Sequence, residues 1–356
     1  MTVPRVRVLV ADDSPTVRRA LQGLLSEDRR IEVVGLAEDG VEAVELAMSL
    51  RPEVITMDVR MPRLDGLAAT AAIMAEAPAH ILVVASVEDR QQELSFQAMQ
   101  AGALEVIPKP QGTSPEDLRQ WGERLADSIC LMSEVPVVTR RRSHALATLP
   151  RRAVGRVDAL GLVASTGGPP ALAEILGALP GDLPVPVLIA QHVASGFARG
   201  LCRWLADVSS LRVEMVSAPA PLRAGTVYVA QDGHDLAVER KGLVSSHLPS
   251  GSFSPSGDRL LASLARAYGA RAGGVVLTGM GEDGAHGLLE IRRAGGAALA
   301  QDEATCVVFG MPQVAWKLGA AEALYPLSAI PAVIVELTSR AAAGRSAPPQ
   351  EKEEAR

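Results

Sequence analysis

A serine at the end of an apolar run is the first residue of this chain that could do covalent chemistry. The stretch LVASTGGPPAL (162–172) places Ser165 between a strand-like run and a helical pattern, so the following turn should offer backbone N–H groups to an anion. Gly167 and Gly168 carry no side chains to obstruct a substrate, and Pro169 suits a first helical turn. The stretch lacks the first glycine of the Gly-x-Ser-x-Gly nucleophile motif. Ser165 is therefore either a nucleophile or a helix-cap or phosphate-loop residue.

A serine hydroxyl becomes a nucleophile only when a base removes its proton, and two histidines could do so. His192 follows the apolar run VPVLIAQ (185–191), which predicts a strand ending at the same sheet edge as Ser165. His234, in AQDGHDL, is the alternative. His192 could instead be a structural residue at a strand end, bonded to backbone. A metal site built from both histidines and an aspartate lacks the tight ligand spacing that such sites use.

The base in turn needs a carboxylate to orient it, and a glycine-rich loop supplies one. Asp283 lies in VVLTGMGEDGAHG, after a further strand-like run, and its glycine neighbours leave room for an imidazole. A buried carboxylate on one ring nitrogen would fix the tautomer and stabilise the imidazolium ion. Glu282 and Asp302 compete for this role, so the residues alone leave the choice open.

A second set of reactive side chains follows the strand-like runs of the first half. Asp12 and Asp13 follow the first run, Asp58 the third, Ser86 ends the fourth, and Lys109 follows the fifth. Three carboxylates at one rim repel each other unless a hard divalent cation joins them, and oxygen ligands suit Mg²⁺. A lysine and a serine beside such a site could hold phosphoryl oxygens. Taken singly, each residue could equally be a helix cap or a surface charge.

Alternating apolar runs and amphipathic helices must position these groups. Residues 1–131 contain five predicted strands, at 6–11, 31–37, 53–57, 80–86 and 104–108. Helices are predicted to begin at Ser14-Pro15 and Ser114-Pro115. A second series follows, at 158–164, 185–191, 212–218, 226–230, 273–279 and 295–301. The fold class is therefore α/β, with a doubly wound flavodoxin-like sheet followed by a second parallel sheet.

The two series are separated by a segment of different composition. Residues 132–157 have no sustained periodicity and contain six arginines, which predicts an interdomain linker. A solvated tether is favoured over a docking strip for an acidic partner. Residues 158–342 form the second predicted domain, and the polar tail at 343–356 is predicted to be disordered.

Composition excludes several classes of protein. The net charge of −6 argues against a nucleic-acid partner or an anionic membrane surface. The three cysteines are far apart and form no CxxC pair, so neither a disulfide framework nor a zinc knuckle is expected. The N-terminus does not resemble a signal peptide, and no apolar run is long enough for a membrane span. We therefore expect a soluble cytoplasmic protein without direct membrane insertion.

The first half resembles the receiver domain of two-component response regulators over residues 5–131. The resemblance rests on LVADDSPTVRR, VITMDVRMPRLDG, VVAS and VIPKP. It implies phosphoryl transfer from a chemotaxis histidine kinase to Asp58, with Ser86 and Lys109 contacting the phosphoryl group. It also implies Mg²⁺ bound by Asp12, Asp13, Asp58 and the backbone carbonyl of Arg60. Receivers usually carry an aromatic switch residue three positions before the lysine, where this chain has Val106.

The second half closely resembles the catalytic domain of the CheB family of chemotaxis protein-glutamate methylesterases. The shared stretches include GLVASTGGPPAL, IAQH, VVLTGMGEDGAHGLLEIRRAGG and AQDEATCVVFGMPQVA. The resemblance implies Ser165 as nucleophile, His192 as general base and then acid, and Asp283 as orienting carboxylate. It also assigns positioning of the ester carbonyl to Thr166, Gly167 and Met280. The family usually has Met-Pro after the histidine, where this chain reads QHVASGFARGL, and the difference bears on substrate contacts.

The resemblance implies hydrolysis of γ-glutamyl methyl esters on methyl-accepting chemoreceptors, release of methanol, and deamidation of receptor glutamines. It implies no cofactor in the catalytic half, and a receiver that covers the catalytic rim until it is phosphorylated. A receiver coupled to a nucleotide- or protein-binding module is the alternative, although no acidic residue follows the Gly-Gly turn at dinucleotide-binding spacing. A transcriptional regulator is excluded because no helix-turn-helix pattern lies near the C-terminus.

Overall fold

The computed structural model describes residues 5–86, 88–110, 114–134, 156–239, 242–249 and 254–339. They form two parallel sheets flanked by helices and one small antiparallel sheet. The tail predicted at 343–356 lies outside the described residues, as does most of the predicted linker. In the part of the chain that the structure describes, every helix is too short or too polar to cross a bilayer.

The first sheet contains all five predicted strands, with bounds that differ by at most one residue. The strands are β1 Val6–Ala11, β2 Ile31–Ala37, β3 Val54–Met57, β4 His80–Ala85 and β5 Glu105–Pro108, and the helices are α1 Pro15–Glu27, α2 Gly40–Leu50, α3 Gly66–Glu76, α4 Asp89–Ala101 and α5 Pro115–Ser133. The strand order is β2-β1-β3-β4-β5, which is doubly wound as predicted. Val8, Leu9 and Val10 are fully buried because helices cover both faces of the sheet. Ser14 and Ser114 cap α1 and α5, each followed by a proline.

The second sheet is also parallel and has seven strands. They are β6 Ala159–Ala164, β7 Val187–Gln191, β8 Arg212–Val216, β10 Thr226–Ala230, β13 Ala272–Val276, β14 Ala297–Gln301 and β15 Ala323–Tyr325. The helices around this sheet are α6 Gly168–Ala178, α7 Ala198–Val208, α8 Gly257–Tyr268, α9 Ala285–Arg293, α10 Met311–Lys317 and α11 Ile330–Ser339. The strand order is β15-β14-β13-β6-β7-β10-β8, so β6 has β7 on one side and β13 on the other. The direction of winding reverses at β6, which is where open α/β sheets leave a crevice for a ligand.

A small antiparallel sheet was not predicted from the sequence. It consists of β9 Ala220–Pro221, β11 Asp235–Glu239 and β12 Leu243–His247, in the order β11-β12-β9. Val238 donates its backbone N–H to Ser263 Oγ of α8 at 2.9 Å, which ties this sheet to that helix. The short strand β15 was also missed.

The two halves of the chain pack against each other through α4 and α7. The Phe96 ring of α4 stacks on the Trp204 ring with centroids 5.6 Å apart, and it meets the Phe197 ring edge-on at 6.4 Å. All three rings are buried, Phe96 and Phe197 completely. The first half therefore covers part of the second half beside the crevice at β6.

Candidate active site

Three adjacent strands bring the predicted nucleophile and base to one edge of the second sheet. Ala164 of β6 is in register with Gln191 of β7, so Ser165 and His192 are the next residues on strands about 4.8 Å apart. The His192 backbone N–H donates to the Ala164 carbonyl at 3.0 Å, and the Ser165 N–H donates to the Thr278 carbonyl at 3.0 Å. Ser165 is therefore held between the ends of β7 and β13.

The His192 ring contacts Asp283, and not either of the competing acids. The Nε2 atom lies 2.8 Å from Asp283 Oδ2, with side chains 17% and 2% exposed. Glu282 is exposed beside Asp283, and the carboxylate of Asp302 accepts from its own turn at Thr305. Nε2 is therefore the ring nitrogen that faces the carboxylate, an arrangement in which the carboxylate can orient the imidazole.

The Asp283 carboxylate sits at the N-terminus of α8. Its oxygens accept the backbone N–H groups of Gly257 at 2.6 Å and Asp258 at 2.9 Å, and the Ser256 hydroxyl donates at 3.3 Å. Burial raises the pKa of this carboxyl, but the hydrogen bonds from His192, Asp258 and Gly257 outweigh it and hold the pKa below its ordinary value. Asp283 is thus ionised and rigidly held where it can orient an imidazole.

The rival histidine is not part of this cluster. His234 Nδ1 lies 2.9 Å from the Asp232 carbonyl, within its own turn. The Asp232 side chain accepts the N–H groups of Gly196 at 2.8 Å and Ala198 at 3.2 Å at the start of α7. This turn therefore supports the loop that follows His192.

The two glycines after Ser165 are needed for a reason that differs from the prediction. Gly167 has a left-handed backbone with φ of 74°, and a Cβ there would lie 2.5 Å from Val307 Cβ. A Cβ on Gly168 would lie 2.1 Å from Gln191 Oε1. The neighbouring protein, and not only a substrate, excludes side chains at both positions.

The turn between β6 and α6 presents backbone donors. Within the described part of the chain, the N–H groups of Thr166 and Gly167 have no acceptor. The Thr166 carbonyl is fixed by the Thr278 hydroxyl at 3.0 Å, so the turn is rigid. Met280 lies on the loop after β13 with 57% of its surface exposed. The turn offers donors of the kind that stabilise an oxyanion.

Sequence reasoning missed Gln191, which joins the two strand ends. Its Nε2 donates to the Ser165 carbonyl at 2.9 Å and to the His192 carbonyl at 2.7 Å, and the residue is only 3% exposed. A single polar side chain at the end of an otherwise apolar strand could have indicated this role, because buried amides require partners.

The first sheet gathers the second set of predicted residues. One carboxylate oxygen each from Asp12, Asp13 and Asp58 lie within 4.8 Å of one another. Lys109 Nζ lies 2.8 Å from Asp12 Oδ2 and 3.2 Å from Asp58 Oδ2. Burial raises the pKa of Asp58 to about 6; Lys109 opposes the rise and Asp12 adds to it. Asp58 Oδ1 is buried and has no hydrogen-bond partner among the described residues. The donor set and this unsatisfied oxygen fit a hard divalent cation.

The remaining predicted residues of the first half lie around this cluster. Ser86 directly follows β4, and Arg60 is exposed after β3, with its guanidinium 3.7 Å from Glu88. Val106 is a buried strand residue, 9% exposed and paired with Val83 of β4. It offers no aromatic ring that could change position with the state of Asp58.

A cavity of about 600 Å³ lies between the two halves. The second half contributes Ser165 and His192 to its wall, and the first half contributes Glu105, Lys109 and Trp121. Burial raises the pKa of Glu105 to about 7. The predicted nucleophile and base therefore face the covering half across a cavity.

The comparisons with known proteins agree with this division. Residues 160–334 match the CheB methylesterase family, and residues 8–121 match the response regulator receiver domain. The chain is 55% identical to protein-glutamate methylesterase/protein-glutamine glutaminase 3 of Myxococcus xanthus, over 94% of this chain and 95% of the relative. It is 45% identical to protein-glutamate methylesterase/protein-glutamine glutaminase 3 of Anaeromyxobacter dehalogenans, over 91% of this chain and 97% of that relative. The CheB catalytic domain of Thermotoga maritima is 33% identical and covers 51% of this chain and 98% of that domain, with a TM-score of 0.49.

Proposed function

This chain belongs to the CheB family of protein-glutamate methylesterases/protein-glutamine glutaminases, and we propose that it hydrolyses glutamate γ-methyl esters on chemoreceptors and releases methanol. The observation that carries the proposal is the 2.8 Å contact of His192 with a buried Asp283, beside Ser165 at one sheet edge. We propose these three residues as the catalytic triad.

The geometry supports a two-step acyl transfer. Ser165 Oγ attacks the ester carbonyl and gives its proton to the His192 imidazole, while Asp283 stabilises the imidazolium through its contact with Nε2. The carbonyl oxygen becomes negatively charged and accepts the N–H groups of Thr166 and Gly167. Each such donor contributes about 2.7–4 kcal/mol to transition-state stabilisation. His192 then protonates the departing methoxide, and a water activated by the same ring cleaves the acyl enzyme. Met280, exposed on the loop after β13, would help to position the ester carbonyl.

Deamidation of receptor glutamines follows from the same groups. The leaving group becomes ammonia, which needs the proton from His192 more than methoxide does, and the acyl enzyme is the same. No group beyond the triad and the turn is required for this second activity.

We further propose that a histidine kinase phosphorylates Asp58 and that this regulates the esterase. Asp12, Asp13, Asp58 and the Arg60 carbonyl would hold Mg²⁺, which would neutralise charge on the transferring phosphoryl group. A phosphoryl group on Asp58 would compete for Lys109, which now bonds Asp12 and also lines the interdomain cavity. Ser86 would donate to another phosphoryl oxygen. Movement of Lys109 could therefore transmit phosphorylation of Asp58 to the contact between the two halves without an aromatic switch residue.

The same proposal assigns residues 1–131 to the receiver, 132–157 to the linker and 158–342 to the catalytic domain, in a cytoplasmic protein. Among the described residues, no helix is long and apolar enough to span a bilayer.

Methanol release from methylated receptors tests the proposal directly. Wild type and Ser165→Ala are compared with and without a small-molecule phosphodonor and Mg²⁺. We expect release by wild type, a several-fold increase on phosphorylation, and none from Ser165→Ala with unchanged thermal stability. Asp58→Asn serves as the matched control, which keeps basal release and loses the increase. Full activity in Ser165→Ala would refute the proposed nucleophile.

A further inference from the structure

The covering half leaves space directly above the proposed catalytic groups. The interdomain cavity has a volume of about 600 Å³, within the range of pockets that bind small organic ligands. Ser165 and His192 both lie on its wall, and the His192 side chain is 17% exposed. Small molecules can therefore reach these groups while the two halves remain packed together.

The proposed base and its orienting carboxylate are in contact in this covered arrangement. The contact between His192 and Asp283 is 2.8 Å, and Asp283 keeps its backbone donors at the start of α8. In the described residues, the N–H groups of Thr166 and Gly167 have no acceptor, so the first half does not fill the anion site. The covering half therefore leaves the His192–Asp283 contact and the donors of the turn intact, beside Ser165 on the cavity wall.

A chemoreceptor and a small free ester differ in the space that each needs to reach Ser165. A receptor glutamate is part of a folded protein, and even a single helix with its side chains is about 10–12 Å across. Its approach to Ser165 requires space that the first half occupies, at a contact anchored by the buried rings of Phe96 and Trp204. A free ester of a dozen heavy atoms needs no such opening.

The wall of the cavity favours one kind of small substrate. The covering half contributes apolar side chains, among them Phe96, Met99 and Trp121, and the ionisable side chains of Glu105, Lys109 and Arg124. The apolar part suits a short acyl chain or an aromatic leaving group. Lys109 is already paired with the carboxylates of Asp12 and Asp58, so its charge is offset within the first half, and an uncharged ester suits this wall.

We propose that the covered, unphosphorylated protein is itself an esterase for small neutral esters, so that phosphorylation widens the range of substrate sizes without assembling the chemistry. This inference rests on the triad in the proposed function but does not depend on the receptor as substrate.

Hydrolysis of p-nitrophenyl acetate by the full-length protein, measured beside methanol release from methylated receptors, tests the inference. We expect phosphorylation to change the nitrophenyl ester rate by less than about twofold while receptor demethylation rises several-fold. Ser165→Ala must lose both activities. An equal increase in both rates on phosphorylation would overturn the inference, as would nitrophenyl ester hydrolysis that persists in Ser165→Ala.

A second variant fills the cavity from the covering side. Ser128 lies on α5 and lines the cavity, whereas Glu123 is exposed on the same helix and does not. Ser128→Trp should lower unphosphorylated nitrophenyl ester hydrolysis about fivefold or more and leave the phosphorylated rate unchanged, and Glu123→Trp should change neither. Equal rates in wild type and a folded Ser128→Trp would show that the ester reaches Ser165 by another route and refute the cavity as its site. If wild type hydrolyses the nitrophenyl ester but never demethylates a receptor, the proposed function fails and this inference stands.

Discussion

Removing the Phe96 ring should release the catalytic edge without phosphorylation. Phe96 is fully buried, stacks on Trp204 at 5.6 Å and meets Phe197 edge-on at 6.4 Å. The substitution Phe96→Ala deletes both ring contacts between α4 and α7. It leaves every atom of the proposed triad in place, because Phe96 belongs to the covering half.

The expected magnitude follows from the two ring pairs. Each aromatic pair contributes about 0.5–1.5 kcal/mol beyond simple burial, so the contact between the halves weakens by about 1–3 kcal/mol. The ratio of open to closed molecules then rises by a factor of about 5 to 150, since 1.4 kcal/mol corresponds to a factor of ten. An open population of about 1% would become about 5–60%.

The assay is methanol release from methylated receptors by the unphosphorylated variant. The rate should rise by about the same factor as the open population, whereas p-nitrophenyl acetate hydrolysis, which needs no opening, should not rise in parallel. Adding Trp204→Ala should increase the rate by less than the product of the single effects, because the two rings share one contact. An unchanged receptor rate in Phe96→Ala, with a lowered melting temperature showing that the ring was lost from a core, would refute this reasoning.

Four further outcomes follow from the structure. Asp283→Asn keeps a hydrogen-bond partner for His192 but loses the charge and the tautomer, so kcat for demethylation should fall about 10³–10⁴-fold, and a fall of less than tenfold would contradict the triad. Gln191→Leu removes the donor shared by the Ser165 and His192 carbonyls, which should lower the free energy of unfolding by about 1–3 kcal/mol in urea titrations, and an unchanged midpoint would argue against that role. Burial raises the pKa of Glu105 from 4.5 to about 7 in the folded protein, so ionisation of Glu105 destabilises the fold as pH rises through this range. The free energy of unfolding of Glu105→Gln should exceed that of wild type by about 1–3 kcal/mol at pH 8.5, and the difference should shrink toward pH 5. Chelation of divalent cations should abolish phosphorylation of Asp58 and leave unphosphorylated nitrophenyl ester hydrolysis intact, whereas equal loss of both would place the cation in the esterase chemistry.

The sequence by itself determined the two α/β series, most strand bounds and the sheet edge that carries each site. Apolar runs and helix caps depend on residues a few positions apart, as at Ser14 and Ser114, so local pattern is sufficient to find them. Ser165 and His192 could be placed at one edge because parallel strands share their carboxyl ends.

Only the tertiary structure decided which acidic loop residue contacts His192. Asp283 and Glu282 are neighbours of the same charge. The choice between them depends on α8, because the first backbone N–H groups of that helix donate to the Asp283 carboxylate. The hydrogen bonds from Gln191 to the Ser165 and His192 carbonyls, and the antiparallel sheet, likewise depend on side chains and strands that meet only after folding. The contact of Phe96 with Trp204 joins residues more than a hundred positions apart, and the cavity beside it exists only because the two halves of the chain pack together. Such contacts depend on the relative placement of whole elements, which no short stretch of sequence encodes.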